Sequence, residues 1–147
     1  MSIDSLNWKI LKCLQHNARL TNAEIGRQVG ISSPAVSERI KKMEDAGIIQ
    51  HYHTTVSPFE AGYQLKALIT IRAFMGMLKP FLEKVKTYDE VINCYRITGN
   101  ENIVMEVVLK NQKHLEAFID QLIVYGETKT QIVLSHVVKH NAVKPLK

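Results

Sequence analysis

The segment LTNAEIGRQVGISSPAVSERIKKMEDAGII, residues 20–49, constrains the fold more than any other part of the chain. Thr21 and Glu24 have the spacing of a capping box, which predicts the start of a short helix. Gly30 ends that helix, and a second helix begins within four residues. Two helices joined by a tight turn that contains glycine are typical of a helix-turn-helix.

The second helix is marked at both ends. Ser32 or Ser33 can cap its start, and Ser33 is the natural N-cap because Pro34 then occupies the first helical position. Gly47 suits the left-handed position that follows a helix end. We therefore predict a helix over residues 34–46, with one apolar stripe formed by Val36, Ile40 and Met43.

The rest of this helix is polar, and its first residues are small enough to approach base edges closely, which favours a role in DNA recognition over plain packing. The predicted DNA-contacting residues are Ser32, Ser33, Pro34, Ala35, Ser37, Glu38, Arg39, Lys41 and Lys42. The three basic residues lie where phosphates would run. An upstream helix, capped by Ser2 or Asp4, would cover the pair, and the β-rich stretch IIQHYHTTVSP predicts a strand or wing after it. A pair of helices that only packs is the alternative.

The chain has 147 residues, two cysteines far apart in sequence and a net charge of +5. Residues 1–60 carry seven Lys or Arg against six Asp or Glu, whereas residues 61–147 carry twelve against eight. Charge alone therefore does not point to the predicted DNA-binding segment, and affinity would have to come from several copies of it. No apolar run is long enough to span a membrane, which predicts a cytoplasmic protein, and no motif for a metal or a cofactor occurs.

The second half alternates between strand and helix patterns in the order βαββαβ. The predicted strands are residues 64–74, 91–98, 102–110 and 130–138, and two helices with apolar faces separate them. This order predicts an antiparallel four-stranded sheet with both helices on one face, a ferredoxin-like domain. The chain is thus predicted to be α+β, with a helix-turn-helix domain at 1–50, a strand or linker at 51–63 and a βαββαβ domain at 64–147.

The other face of this sheet is predicted to meet a second sheet. Leu68, Val104 and Val133 alternate with apolar neighbours that must lie on the opposite face. An apolar face left in water would be unfavourable, so we expect dimerisation through this half. The acidic residues form no convincing catalytic pair, and His51 and His53 are better explained as solvent-facing residues than as metal ligands.

Taken together, the motifs LTNAEIGRQVGIS, V-S-E-R-I-K-K-M-E-D-A-G-I-I and ITGNENIVMEVV resemble the Lrp/AsnC, or feast/famine, transcriptional regulators over about residues 4–140. The resemblance implies a winged helix-turn-helix that binds double-stranded DNA and a tail that forms homodimers, which assemble into octamers or similar rings. It also implies an effector, an amino acid or related small molecule, bound near the turn formed by Thr98, Gly99, Asn100 and Asn102.

Two departures from the family pattern stand out. Helix one usually carries D-x-x-D, whereas this chain has Asp4 and Asn7, which we interpret as a capping detail. The turn after the second strand usually reads Gly-Asp-x-Asp, whereas here Asn100 and Asn102 replace the acids. Because a neutral amide binds an ammonium less strongly than a carboxylate, we expect weak binding of ordinary amino acids.

Two other functions fit the same two-domain plan. The chain also resembles siroheme decarboxylase subunits, in which the helix-turn-helix does not bind DNA. A metabolite-binding oligomer is the third reading, and it would bind its ligand without salt-dependent affinity for DNA.

Overall fold

The computed structural model describes residues 3–146, which form two compact units. Unit 1 comprises Met1–Thr55 with Val138–Lys147, and unit 2 comprises Val56–Val137. The sequence predicted a single domain over 64–147, but the last ten residues group with the helix-turn-helix. No helix within residues 3–146 is both long and apolar enough to cross a bilayer.

Unit 1 contains three helices whose ends follow the sequence signals closely. They are α1 (Ser5–His16), α2 (Asn22–Val29) and α3 (Ser33–Asp45). Asp4 caps α1, while the alternative cap Ser2 lies outside the described residues. Both hydrogen bonds of the predicted capping box at Thr21 are present at the start of α2.

The prediction for the start of α3 is wrong by one residue. Ser32, and not Ser33, is the N-cap, and its hydroxyl accepts a hydrogen bond from the N–H of Ala35. Pro34 still lies in the first turn, where its missing N–H costs nothing. The other end is as expected: Gly47 has φ +68°, and the N–H of Ile48 donates to the carbonyl of Met43 at 2.8 Å.

One apolar core holds the three helices together. Its buried members are Ile10, Leu11, Ile25, Val36 and Met43, and Trp8 packs partly buried against them. Since the stripe of α3 supplies two of these residues, α3 is fixed by one face only. Its remaining faces are left to solvent or to a partner.

The predicted strand or wing after α3 does not form in this chain. Residues 50–57 have no regular secondary structure, because an extended segment without a neighbouring strand has no partner for its backbone groups. Tyr52 is nevertheless anchored, since its hydroxyl donates to the carboxylate of Glu44 on α3 at 2.8 Å. Burial, followed by this carboxylate, raises the pKa of Tyr52 to about 12.

Unit 2 has the predicted βαββαβ order, which confirms the α+β fold class. Its elements are β1 (Leu65–Ala73), α4 (Leu78–Lys84) with a short 3-10 turn at Val85–Thr87, β2 (Val91–Arg96), β3 (Ile103–Leu109), α5 (Gln112–Leu122) and β4 (Gly126–Ile132). The four strands form one antiparallel sheet in the order β2-β3-β1-β4.

Both helices pack on the same face of the sheet, as predicted. Ile69 of β1 and Met105 of β3 are register partners and are fully buried there. Phe81 of α4 and Phe118 of α5 are buried in the same cluster. We call this the helix face and its opposite the open face.

The prediction that the last strand spans residues 130–138 is wrong. β4 begins at Gly126, which pairs with Ala73 so closely that a Cβ at Gly126 would lie 2.3 Å from the carbonyl oxygen of Arg72. The threonines of β4 face the helix layer, and its lysine and glutamate face outward, so a strand with few aliphatic residues still satisfies both faces.

The open face is therefore less apolar than the sequence suggested. Ile132 lies on the helix face, and the open face of β4 presents Glu127, Lys129 and Gln131. The apolar residues of the open face lie on the two central strands and on β2: Leu68, Val104, Val108 and Tyr95. The apolar part of this face thus covers β2, β3 and β1 and does not extend to β4.

Candidate DNA interface and effector turn

The exposed surface of α3 contains most of the predicted DNA-contacting residues. Ser32, Pro34, Ser37, Glu38, Lys41 and Lys42 are exposed, whereas Ser33, Ala35 and Arg39 are half-buried. Pro34, Ser37 and Lys41 follow one another at helical spacing on one ridge of the helix. The ridge combines small residues near the N-terminus of α3 with a cation nearer its C-terminus.

The two exposed lysines of α3 differ in their partners. Lys42 donates to Glu38 one turn earlier at 2.6 Å, and this hydrogen bond lowers the pKa of the Glu38 carboxyl. Lys41 forms no ion pair with any residue in the described part of the chain. A phosphate would therefore compete with Glu38 for Lys42, while Lys41 is available without such competition.

Arg39 points toward α1. Its Nη1 donates to the carboxylate of Asp4 at 2.7 Å and to the side-chain oxygen of Asn7 at 3.0 Å. Asn7 is only 2% exposed. Asp4 and Asn7, which the sequence suggested were a capping detail, thus also hold the recognition helix against the first helix.

The backbone N–H of Asn7, and next the guanidinium of Arg39, lower the pKa of Asp4. Since the carboxylate accepts from both, it links the start of α1 to the middle of α3. No local sequence pattern predicts this network, because Asp4 and Arg39 lie 35 residues apart.

Arg39→Met is expected to lower the free energy of unfolding of unit 1 by about 1–3 kcal/mol, because the buried oxygen of Asn7 would lose its donor. Trp8, the one tryptophan of the chain, reports on this unit by its fluorescence in a urea titration. Lys42→Met is the matched control, and its exposed ion pair should change the stability by less than about 0.5 kcal/mol. Equal urea midpoints for wild type and Arg39→Met would contradict this role.

The predicted effector turn connects β2 to β3. Thr98, Gly99 and Asn100 are exposed, and Gly99 has φ +117°, a conformation that side chains with a Cβ rarely adopt. A Cβ at Gly99 would meet no atom within 4 Å. The glycine is therefore required for the backbone conformation of the turn and leaves the space above it open.

Asn102 has a structural role that the sequence did not predict. Its side-chain oxygen accepts from the N–H of Ala73 at 2.8 Å, and its own N–H donates to the carbonyl of Ile71 at 2.9 Å. Its carbonyl accepts from Ile97 at 2.9 Å, which closes the turn. The amide that we expected to face a ligand is instead bonded to β1 through its oxygen.

The two units differ sharply in charge. Unit 1 carries ten Lys or Arg and five Asp or Glu, a net charge of +5, whereas unit 2 carries nine of each. Counting charges separately over residues 1–60 and 61–147 hides the difference between the units. The basic C-terminal segment belongs to unit 1 with the helix-turn-helix, although it lies in the second half of the sequence. The unit that contains α3 thus holds the whole net positive charge of the chain, as expected of a protein that binds phosphates.

Comparisons with known proteins agree with both halves of this arrangement. Residues 3–50 match the winged helix-turn-helix DNA-binding family, and residues 66–143 match the Lrp/AsnC ligand binding domain. The chain belongs to the Lrp/AsnC family. This membership confirms the resemblance drawn from the sequence motifs and makes the protein a DNA-binding transcriptional regulator of the Lrp/AsnC type.

Curated relatives support the same assignment. The Lrp/AsnC chain described here is 31% identical to the HTH-type transcriptional regulator LrpB of Bacillus subtilis over 140 residues, which covers 95% of this chain and 94% of LrpB. It is 34% identical to the uncharacterized regulator YezC of the same organism, over 90% of this chain and 94% of YezC. Both relatives are named as regulators, and neither is named as an enzyme.

Solved structures of Lrp/AsnC proteins share the fold. E. coli AsnC superimposes with a TM-score of 0.86 at 31% identity and covers 99% of this chain and 100% of its own. A transcriptional regulator from Neisseria meningitidis, solved as a complex with L-Met, has a TM-score of 0.91 at 25% identity over 97% of this chain and 96% of its own.

Proposed function

We propose that the protein regulates transcription by placing α3 in the major groove of double-stranded DNA. The observation that carries this proposal is the exposed ridge of Pro34, Ser37 and Lys41 on a helix that is fixed by its opposite face. Small side chains near the start of the helix permit close approach to base edges, and lysines farther along it suit phosphates. Ser32, Ser33, Ala35, Glu38 and Lys42 complete the proposed interface, while Arg39 positions the helix.

Selection of binding sites from a random pool of duplexes by the purified full chain tests this function. A dimer that presents two copies of α3 should recover a two-fold symmetric sequence with half-sites one helical turn or a multiple of it apart. A pool that yields no consensus after repeated rounds would contradict sequence-specific binding. The same protein mixed with siroheme should show no new visible absorbance, since we assign the chain no catalytic role.

The proposed effector is an amino acid or a related small molecule. The Neisseria meningitidis regulator was solved with L-Met, and the turn at Thr98, Gly99 and Asn100 offers an open glycine backbone that a carboxylate could approach. Asn102 also supports this proposal, because the bond of its side-chain oxygen to β1 fixes where the turn lies and leaves its second side-chain atom for a ligand. The site has no acid at position 102 to pair with an ammonium, so the proposed affinity for ordinary amino acids is weak, in the millimolar range.

Asn102→Asp is expected to tighten the binding of an α-amino acid by about tenfold, since a charge-assisted bond is roughly twice as strong as a neutral one. The aspartate can still accept the N–H of Ala73, so the turn should keep its shape. Calorimetry with the twenty amino acids measures the effect. Asn100→Asp is the control, because it adds the same charge to the turn at a residue that is not bonded to Ala73. A micromolar amino acid ligand of the wild type, or equal affinities for wild type and Asn102→Asp, would refute the charge argument.

We further propose that the open face of the sheet is the surface of a homodimer, and that dimers assemble into octamers or similar rings. Leu68 and Val104 supply an accessible apolar centre. Beside it Lys66 forms an ion pair with Glu106, which also accepts from Asn93 at 2.9 Å. Lys66, more than Asn93, lowers the pKa of Glu106.

Thr70, in the same sheet, carries a buried polar group. Its hydroxyl, on the open face, is the one buried side-chain polar atom within residues 3–146 that has no hydrogen-bond partner. A buried polar atom without a partner costs stability, and this chain bears that cost at Thr70.

A further inference from the structure

The C-terminal segment is held on the outer surface of α1. The side-chain amide of Gln15 donates to the carbonyl of Val143 at 3.1 Å, and its oxygen accepts from the N–H of the same residue at 2.7 Å. One side chain thereby satisfies both backbone polar groups of Val143. Farther along, Pro145 and Leu146 line a shallow cleft together with Ile3, Ser5 and Trp8 of the helix-turn-helix unit.

These contacts set the direction of the segment. Val143 lies at the C-terminal end of α1, and Pro145 and Leu146 lie near its N-terminal end. The N-terminal end is also where Asp4 holds Arg39 of α3. The C-terminal segment therefore runs along α1 toward the end of α1 that holds the recognition helix in place.

The segment is strongly basic. Lys139, Lys144 and Lys147 lie between residues 138 and 147 with no acidic residue among them, and they account for three of the five excess positive charges of unit 1. Lys139 and Lys144 are exposed, and neither forms an ion pair within residues 3–146. Two cations without acidic partners on a docked segment would release counterions if a phosphate backbone came within reach.

We propose that the segment from Lys139 to Leu146 is a second DNA-contacting element, which binds the phosphate backbone of the duplex that α3 reads. Gln15 positions it, and Lys139 and Lys144 supply the charge. The contact is independent of base sequence, so it adds affinity to operator and non-operator duplexes alike. This inference rests on the proposed DNA binding through α3.

The test compares two double variants of the full chain on one selected operator, by fluorescence anisotropy at several salt concentrations. Lys139→Gln with Lys144→Gln should lower the slope of log Kobs against log salt by about 1–2 per protomer and weaken binding about tenfold at low salt. Lys110→Gln with Lys113→Gln removes the same charge from exposed positions of unit 2 and should change affinity less than about twofold. Sedimentation must give both variants the wild-type oligomeric state.

A third variant, Gln15→Ala, keeps every charge and removes the positioning bond. Each phosphate contact contributes roughly one unit to the salt slope. Gln15→Ala should therefore lower the slope by about half as much as the double variant Lys139→Gln with Lys144→Gln. Equal salt slopes for the Lys139→Gln, Lys144→Gln variant and the Lys110→Gln, Lys113→Gln control would overturn the proposal. If the double lysine variant bound DNA more weakly but Gln15→Ala bound it as the wild type does, the positioning of the segment by Gln15 would be wrong. Absence of DNA binding by the wild type would instead refute the proposed function.

Discussion

Gly26→Val is expected to unfold the helix-turn-helix and to abolish specific DNA binding. Gly26 is buried in α2, and a Cβ there would lie 2.5 Å from the carbonyl oxygen of Ile31. Its own carbonyl accepts from the N–H groups of Gly30 and Ile31 at 2.8 and 3.1 Å, so the turn folds directly against it. Because the obstructing atom belongs to the backbone, relief requires moving the turn, which should cost about 3 kcal/mol or more.

Gly30→Ala is the control for this prediction. Gly30 has φ +80° with no atom within 4 Å of a Cβ, so alanine there brings only the left-handed strain of about 1–2 kcal/mol. Trp8 fluorescence follows unit 1 during urea unfolding. If Gly26→Val retained the wild-type midpoint, or lost no more stability than Gly30→Ala, the close packing of the turn on α2 would be wrong.

Leu68→Lys is expected to convert the proposed homodimer into a folded monomer. Leu68 lies on β1 in the middle of the open face and is 38% exposed in the single chain. A lysine there would face Glu106, its register partner on β3, so the isolated sheet should tolerate it. In the dimer the added charge would be buried between two sheets, and we expect the dimer dissociation constant to rise at least about a hundredfold, or roughly 3 kcal/mol.

Val124→Lys serves as the control, since it introduces the same charge at an exposed residue that lies between α5 and β4. Analytical ultracentrifugation at micromolar concentration separates the outcomes. Leu68→Lys should also weaken operator binding, because two linked copies of α3 bind more tightly than one. A dimer that survives Leu68→Lys would place the subunit contact elsewhere on the molecule.

Local signals predicted the helices well. The capping box at Thr21, the proline at 34 and the glycine at 47 each act through backbone groups within four residues, and these are readable in one sequence. β4 was misplaced because its residues Gly126–Ile132 are mostly polar, and only the close pairing of Gly126 with Ala73 explains where the strand begins. Strand bounds depend on neighbours that are distant in sequence.

The site was harder to predict than the fold, for the same reason. The apolar stripe of α3 predicts which of its residues are exposed. The hydrogen bonds of Arg39 to Asn7 and of Asn102 to Ala73, in contrast, join residues about 30 positions apart. The charge of unit 1 depends likewise on a segment that returns from the C-terminus. No periodicity or motif encodes such contacts, so a basic or amide residue that looked free for a ligand could already be bonded within the fold.

The most direct test of the account is the affinity of the wild type and of Ser37→Leu for the selected operator and for a shuffled duplex of equal length. Ser37 is exposed on α3 and outside the core, so leucine should leave the protein folded. We expect tight operator binding by the wild type, a loss of at least about tenfold, or 1.4 kcal/mol, in Ser37→Leu, and similar weak binding of both proteins to the shuffled duplex. Equal operator affinity in the two proteins would contradict recognition through α3.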